Sequence, residues 1–297
     1  MNIDDFDAHR SLVHTASADI SYVTFGDGPV ALFVHGVGTN ALLWRNVIER
    51  LPGRRCVALD LPLHGHSPAR PDQDLSLGGL ASVVAEFCDA LELTDIDLVA
   101  NDTGGAVAQI FAARHPDRLR TFTLTNCDTH DNVPPEAFLP TVELARAGEL
   151  APTAPALLAD LAVARRAVFA SGYEDPEQPD LALVDAFLRP LAGTVEQARQ
   201  FERMLADLGP ADLLAVEPAL RELTVPTLVV WGTGDSFFEL RWAYWLRDTI
   251  PGVTEVVELE GARLFFPDER AADFVPHLER LWAAADRRAV AGRRSGH

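Results

Sequence analysis

The chain has 297 residues, 48% of them hydrophobic, enough to bury a sizeable core as one large domain or two small ones. Its formal net charge is −19, and all 25 residues of its Lys+Arg total are arginine. So acidic a chain is a poor match for nucleic acid or for an anionic membrane surface. Cys56, Cys88 and Cys127 are odd in number and widely spaced, which suits free thiols in a reducing compartment over a disulfide framework or a zinc site. The first residues, Met1-Asn2-Ile3-Asp4-Asp5, are acidic where a secretory signal would be basic. No run approaches the roughly 18 uncharged apolar residues of a membrane helix. A cytoplasmic location and a small-molecule substrate are therefore expected, with no nucleic-acid or membrane partner and with homodimerisation left open.

Short apolar or β-branched runs at 11–15, 19–25 and 29–35 read as strands, the last two separated by the turn Gly26-Asp27-Gly28. The pattern then alternates: helix 40–51, strand 55–60, helix 76–91, strand 96–101, helix 104–115, strand 120–126. Runs such as Leu98-Val99-Ala100 are apolar on both faces, as in a parallel sheet covered on both sides. After Asn132-Val133-Pro134-Pro135 only helical periodicity remains, to about residue 221, with breaks at Gly172, Pro176 and Gly209-Pro210. Strands resume at 227–231 and 254–259 around a helix near 239–249, and a last helix covers 270–286. The expected organisation is an α/β core in two parts, 1–133 and 222–286, a helical cap at 134–221, and a flexible tail at 287–297.

Ala100-Asn101-Asp102-Thr103-Gly104-Gly105 lies between a strand and a helix and has the form small-x-nucleophile-x-small. A turn this tight needs small flanking residues and lifts its central side chain clear of the sheet. The following helix's positive end favours an ionised acid there; an N-cap aspartate is the plainer use of the same residue. Other motifs stand in order around it. His35-Gly36-Val37-Gly38 follows the third strand, Trp44 lies on the next helix, and Asp60-Leu61-Pro62-Leu63-His64-Gly65-His66-Ser67 follows the fourth. Trp231-Gly232-Thr233-Gly234-Asp235 follows a late strand.

On these residues the chain resembles the α/β-hydrolase superfamily along nearly its whole length, and within it the epoxide hydrolase and haloalkane dehalogenase branch. The resemblance implies an α/β-hydrolase fold, with a mostly parallel central sheet flanked by helices and an inserted helical cap. It places Asp102 at the nucleophile, attacking an sp³ carbon to form an alkyl-enzyme ester that activated water then hydrolyses. The backbone N–H groups of Val37 and Thr103 would form the oxyanion hole, and Asp235 would be the acid. Asn40, Trp44, Asp128, Tyr173, Phe237, Phe238 and Leu264 would line the substrate pocket. Leu63 stands where the family's D-x-P-G-H-G-x-S segment has glycine.

The sequence departs from the family at Gly261-Ala262-Arg263-Leu264-Phe265-Phe266-Pro267, where Leu264 takes the slot of the catalytic histidine. Loss of a general base typically lowers the rate by roughly 10²–10⁴-fold. His277, in the last helix, reads as a surface residue. His130, in Asp128-Thr129-His130 at a strand's carboxyl end, is the candidate relocated base, oriented by Asp128 or Asp235; a loop histidine at the cap hinge is the plainer alternative. Dehalogenases of this fold have Trp after the nucleophile and a polar side chain after HG, where this chain has Thr103 and Val37. Epoxide hydrolases use cap tyrosines, and Tyr173 is the one tyrosine of the cap. His64 and His66 belong to a segment that is structural in the family, so no metal is expected, and the glycines form no GxGxxG loop, so no organic cofactor is expected. Three activities stay open: epoxide-type hydrolysis with His130 as base, a lyase, isomerase or cyclase reaction with Asp102 as general acid or base, and ligand binding without catalysis.

Overall fold

Eight strands form one sheet in the computed structural model, which describes residues 1–295, with side chains to Arg287. They are β1 (Arg10–His14), β2 (Asp19–Phe25), β3 (Val30–Val34), β4 (Arg55–Leu59), β5 (Ile96–Asp102), β6 (Leu119–Cys127), β7 (Thr227–Gly232) and β8 (Val253–Leu259). Their spatial order is β1-β2-β4-β3-β5-β6-β7-β8. Strand β2 runs antiparallel to β1 and β4, and every other pairing is parallel. The sheet is thus the mostly parallel, helix-flanked one expected. Every residue of β5 and β7 is buried, as the apolar runs on both faces require.

Buried charge also fastens the core. Asp97 on β5 is fully buried and is paired with Arg54 and Arg120. Both arginines reach on to Asp286 of the last helix, and the Arg54 guanidinium lies 4.8 Å from the Trp282 ring centroid.

The helices differ from expectation in three places. A short helix, Ile3–Asp7, precedes the sheet, with the Asn2 side chain accepting from the Asp5 N–H. The segment from Asn40 is split into a 3₁₀ turn, Ala41–Trp44, and one helical turn, Arg45–Ile48. The last helix runs Ala271–Ser295, past the expected boundary at 286, and Gly296 and His297 of the expected tail lie outside the described residues.

Between β6 and β7 the chain is helical, as the periodicity predicts. The longer elements are Leu139–Arg146, Leu181–Ala192, Val195–Ala206 and Ala211–Leu220. The helix Ala211–Leu220 packs on the core helices Thr103–Arg114 and Leu77–Ala90, and its Asp212 accepts from the Gly78 N–H at 2.8 Å. The Gly209-Pro210 break thus precedes a helix that packs on the core, within the stretch 134–221 expected as cap. No helix among the described residues is long and apolar enough to cross a membrane.

Candidate active site

Strand β5 ends on Asp102, whose backbone has φ 57° and ψ −138°, a conformation that costs a non-glycine residue roughly 1–3 kcal/mol. The helix Thr103–Arg114 begins at once. Glycine is required at two flanking positions. A Cβ on Gly104 would strike the His35 carbonyl, and one on Gly36 would strike the Asp102 carboxylate itself. The carboxylate therefore lies directly against the His35-Gly36 loop. That loop is fixed by His35, which is buried and bonded through Nδ1 to the Gly36 carbonyl, while its Nε2 accepts from the Leu61 N–H. Burial lowers the His35 pKa to about 4, so this ring is neutral and structural.

Burial first, and then the neighbouring Asp128, raise the Asp102 pKa well above the ordinary carboxylate range. The Thr103 N–H opposes the rise, Asp235 adds to it, and the Val37 N–H opposes it. Both backbone groups assigned to an oxyanion hole thus interact with the Asp102 carboxylate. Asp128, at the end of β6, accepts from the Thr103 hydroxyl at 2.8 Å, and its Oδ1 is buried with no partner. Burial pushes its pKa up to about 7, against the effect of that hydroxyl. Asp235 accepts from the Asn126 amide at 2.6 Å and the Phe237 N–H at 2.7 Å; its pKa is pushed up to about 6 by burial.

Above Asp102 lies a cavity of about 290 Å³ between core and cap. Val37, Asp102, Thr103, Phe237, Phe238 and Leu264 all line it. The cap and the following loop add Phe138, Phe169, Leu188, Leu191, Phe201 and Phe265, which the sequence reading missed. Leu264 is 4% exposed, and its carbonyl accepts from the Asn101 amide at 3.1 Å. The next residue, Phe265, donates its N–H to the Gly172 carbonyl of the cap at 2.8 Å. The Leu264–Phe265 peptide is therefore tied to β5 through its carbonyl and to the cap through its N–H.

Other expected site residues lie elsewhere. His130 is bonded through Nδ1 to Glu217 at 2.8 Å and stacked on Trp245 at 4.8 Å between ring centroids. It has a φ of 54° and is not among the cavity-lining residues, and its ring contacts go to Glu217 and Trp245 and not to Asp102. Tyr173 is fully buried outside the cavity wall and donates to Asp268 at 3.2 Å. Trp44 packs in the core against Phe33. Asn40 caps the turn at Leu42 and donates to the Ala186 carbonyl, a link between core and cap away from the cavity. Asp60 holds the segment after β4 through the N–H groups of Ala41 and His66 and through Arg10, while Leu63 keeps a left-handed φ of 77° in glycine's place.

Known proteins extend the comparison. The chain is 40% identical over 112 residues to a haloalkane dehalogenase of Mesorhizobium japonicum, a match spanning 37% of this chain and 36% of that one. It is 29% identical over 287 residues to haloalkane dehalogenase 2 of Mycobacterium bovis, covering 91% and 92% of the two chains. Among solved structures, haloalkane dehalogenase DbeA of Bradyrhizobium elkani superposes with a TM-score of 0.76 at 21% identity, over 93% of this chain and 99% of that one. The epoxide hydrolase CorEH superposes with a TM-score of 0.77 at 19% identity, over 93% and 98%. The model of the alpha/beta hydrolase fold family matches residues 29–270, from the start of β3 to the helical turn after Leu264. The chain belongs to the alpha/beta hydrolase fold family.

Proposed function

We infer that this family member acts on a small, largely apolar substrate at Asp102, and that Asp102 donates and accepts a proton instead of opening a hydrolytic cycle. Leu264 carries this reading. Its side chain stands in the cavity wall at the position where the resembling enzymes have an imidazole, and its carbonyl is held by Asn101. None of the cavity-lining residues is a histidine. A water beside Asp102 meets no imidazole, whereas a buried carboxyl whose pKa is raised can give a proton to substrate and take one back.

The N–H groups of Val37 and Thr103 would receive the carboxylate left after donation. The Thr103 hydroxyl, bonded to Asp128, fixes the first residue of the elbow helix. A proton returned from another position of the substrate restores the acid, and no water is consumed. The reaction class is an isomerisation, elimination or ring closure. Leaving-group chemistry that ends on an anion is disfavoured, because no side-chain N–H lines the cavity to hold one.

A second reading has one observation in its favour. Asp128 has a raised pKa of about 7 and a buried, unpartnered Oδ1, properties of a base near neutrality. It would then activate water against an Asp102 ester. A panel of apolar epoxides, alkenes and haloalkanes, incubated in isotopically labelled water, separates the two. The expected product carries no label, and Asp102→Asn lowers turnover by about 10²-fold or more. Label in the product, with an adduct on Asp102 in the Asp128→Asn variant by intact mass, overturns the proton-transfer reading in favour of hydrolysis.

A further inference from the structure

The electrostatic character of the cavity narrows its ligand. Asp102 is the one ionisable side chain in its wall. Asp128 and Asp235 lie close enough to act on Asp102; Asp102 and Asp128 are buried and Asp235 is partly so. Among the described residues no arginine or histidine lines the space. The wall carries six phenyl rings, from Phe138, Phe169, Phe201, Phe237, Phe238 and Phe265. Phe169 and Phe265 sit 6.2 Å apart with planes tilted by 53°. Aromatic faces carry negative charge in their quadrupole, and they attract a cation within about 6 Å, more strongly once it is desolvated. An anion would find no side-chain N–H among the described lining residues. A neutral molecule would gain only from apolar contact.

We propose that the cavity is built to hold one positive charge inside an apolar molecule, and that its substrate is an uncharged, carbon-rich compound with a double bond that becomes cationic on receiving the Asp102 proton. The O–H bond of Asp102 breaks, leaving its electron pair on the carboxylate. The π pair of the double bond forms the new C–H bond, and the adjacent carbon becomes positive. Loss of a different proton to the carboxylate restores Asp102 and leaves a shifted double bond, so atoms and charge balance without a co-reactant. The proposal rests on the proton-transfer reading, which supplies the charge; what it adds is the sign of the charge that the walls stabilise.

Equilibrium binding tests it without turnover. Three ligands of one shape and different charge serve as probes: N,N-dimethylcyclohexylammonium, cyclohexyl methyl ketone and cyclohexanecarboxylate. The ammonium is expected to bind tighter than the ketone by on the order of tenfold or more, and the carboxylate weakest of all. Phe169→Leu and Phe265→Leu together should remove most of the ammonium's advantage while ketone affinity stays within about threefold, which also reports that the variant is folded. Equal affinity for ammonium and ketone, or a preference for the carboxylate, overturns the proposal. Label-free turnover with charge-blind binding would sink this inference alone. Labelled product with ammonium-selective binding would sink the proton-transfer reading and leave a cation-selective cavity.

Discussion

Asp128 accepts one hydrogen bond, from Thr103, and leaves Oδ1 buried beside another acid. The unfolded chain releases its proton near the ordinary value of 3.8, and the folded chain near 7. Between those values the folded state holds a proton that the unfolded state has lost, so stability falls as pH rises through the window and the loss is complete above it. Asp128→Asn removes that term and keeps an acceptor for the Thr103 hydroxyl. Relative to the parent, the variant's Tm should therefore be higher at pH 8 than at pH 5, in paired melts; a gap that does not change with pH refutes the assignment. Asp102 was legible from sequence because an elbow is local, a strand end and a helix start six residues long. The Thr103–Asp128 bond joins the start of the elbow helix to the residue after β6, across 25 positions, and nothing in either segment alone announces it. His130 misled for a related reason. A place at the carboxyl end of a strand fixes where the backbone is, while the ring goes to partners distant in sequence, Glu217 and Trp245.

The strands were readable to within a residue or two because covered parallel strands are continuous apolar runs, and the helix expected over 76–91 is found at Leu77–Ala90, capped by Ser76. The cap was readable as helical but not as a wall, since periodicity gives the buried face of a helix and not which neighbour it faces. Its joint with the core shows what was hidden. Backbone N–H groups of Glu174 and Asp175 donate to Glu269 at 2.8 and 2.9 Å, Arg270 pairs with Glu174, and Tyr173 donates to Asp268, which also pairs with Arg45 at 2.8 Å. These contacts make Tyr173 a fastener between elements. Tyr173→Phe should then lower stability by roughly 1–3 kcal/mol, the cost of leaving a buried acceptor short of a donor. Its kcat on any substrate found in the screen should stay within about threefold of the parent, against the roughly 10²-fold loss expected if the hydroxyl protonated substrate. Urea unfolding and steady-state rates on one preparation decide between the two.

A formal charge of −19 on 297 residues acts on the molecule as a whole. Two effects of salt oppose each other on such a surface. Exposed ion pairs, among them Arg189–Asp185, Arg241–Glu239 and Arg247–Asp248, lose attraction when screened, but pairs of this kind contribute about 0–1 kcal/mol each. Repulsion among the excess carboxylates acts over longer distances, and the Debye length shrinks from about 30 Å at 0.01 M to about 8 Å at 0.15 M. The longer-range term loses more, so screening should favour the compact state. The core fasteners are sheltered from this change, since Asp97 is fully buried and Arg54 and Arg120 are mostly so. Raising sodium chloride across that range at neutral pH should lift Tm, by about 2–4 °C for each kcal/mol of repulsion removed. Chloride is the right anion for the test, because sulfate would also stabilise by exclusion from the surface. Near pH 4.5, where exposed carboxylates are partly protonated, the same step should raise Tm by less. A Tm that falls with salt at neutral pH would mean that the surface pairs outweigh the net charge, and that the acidic surface is arranged to hold the fold together despite its sign.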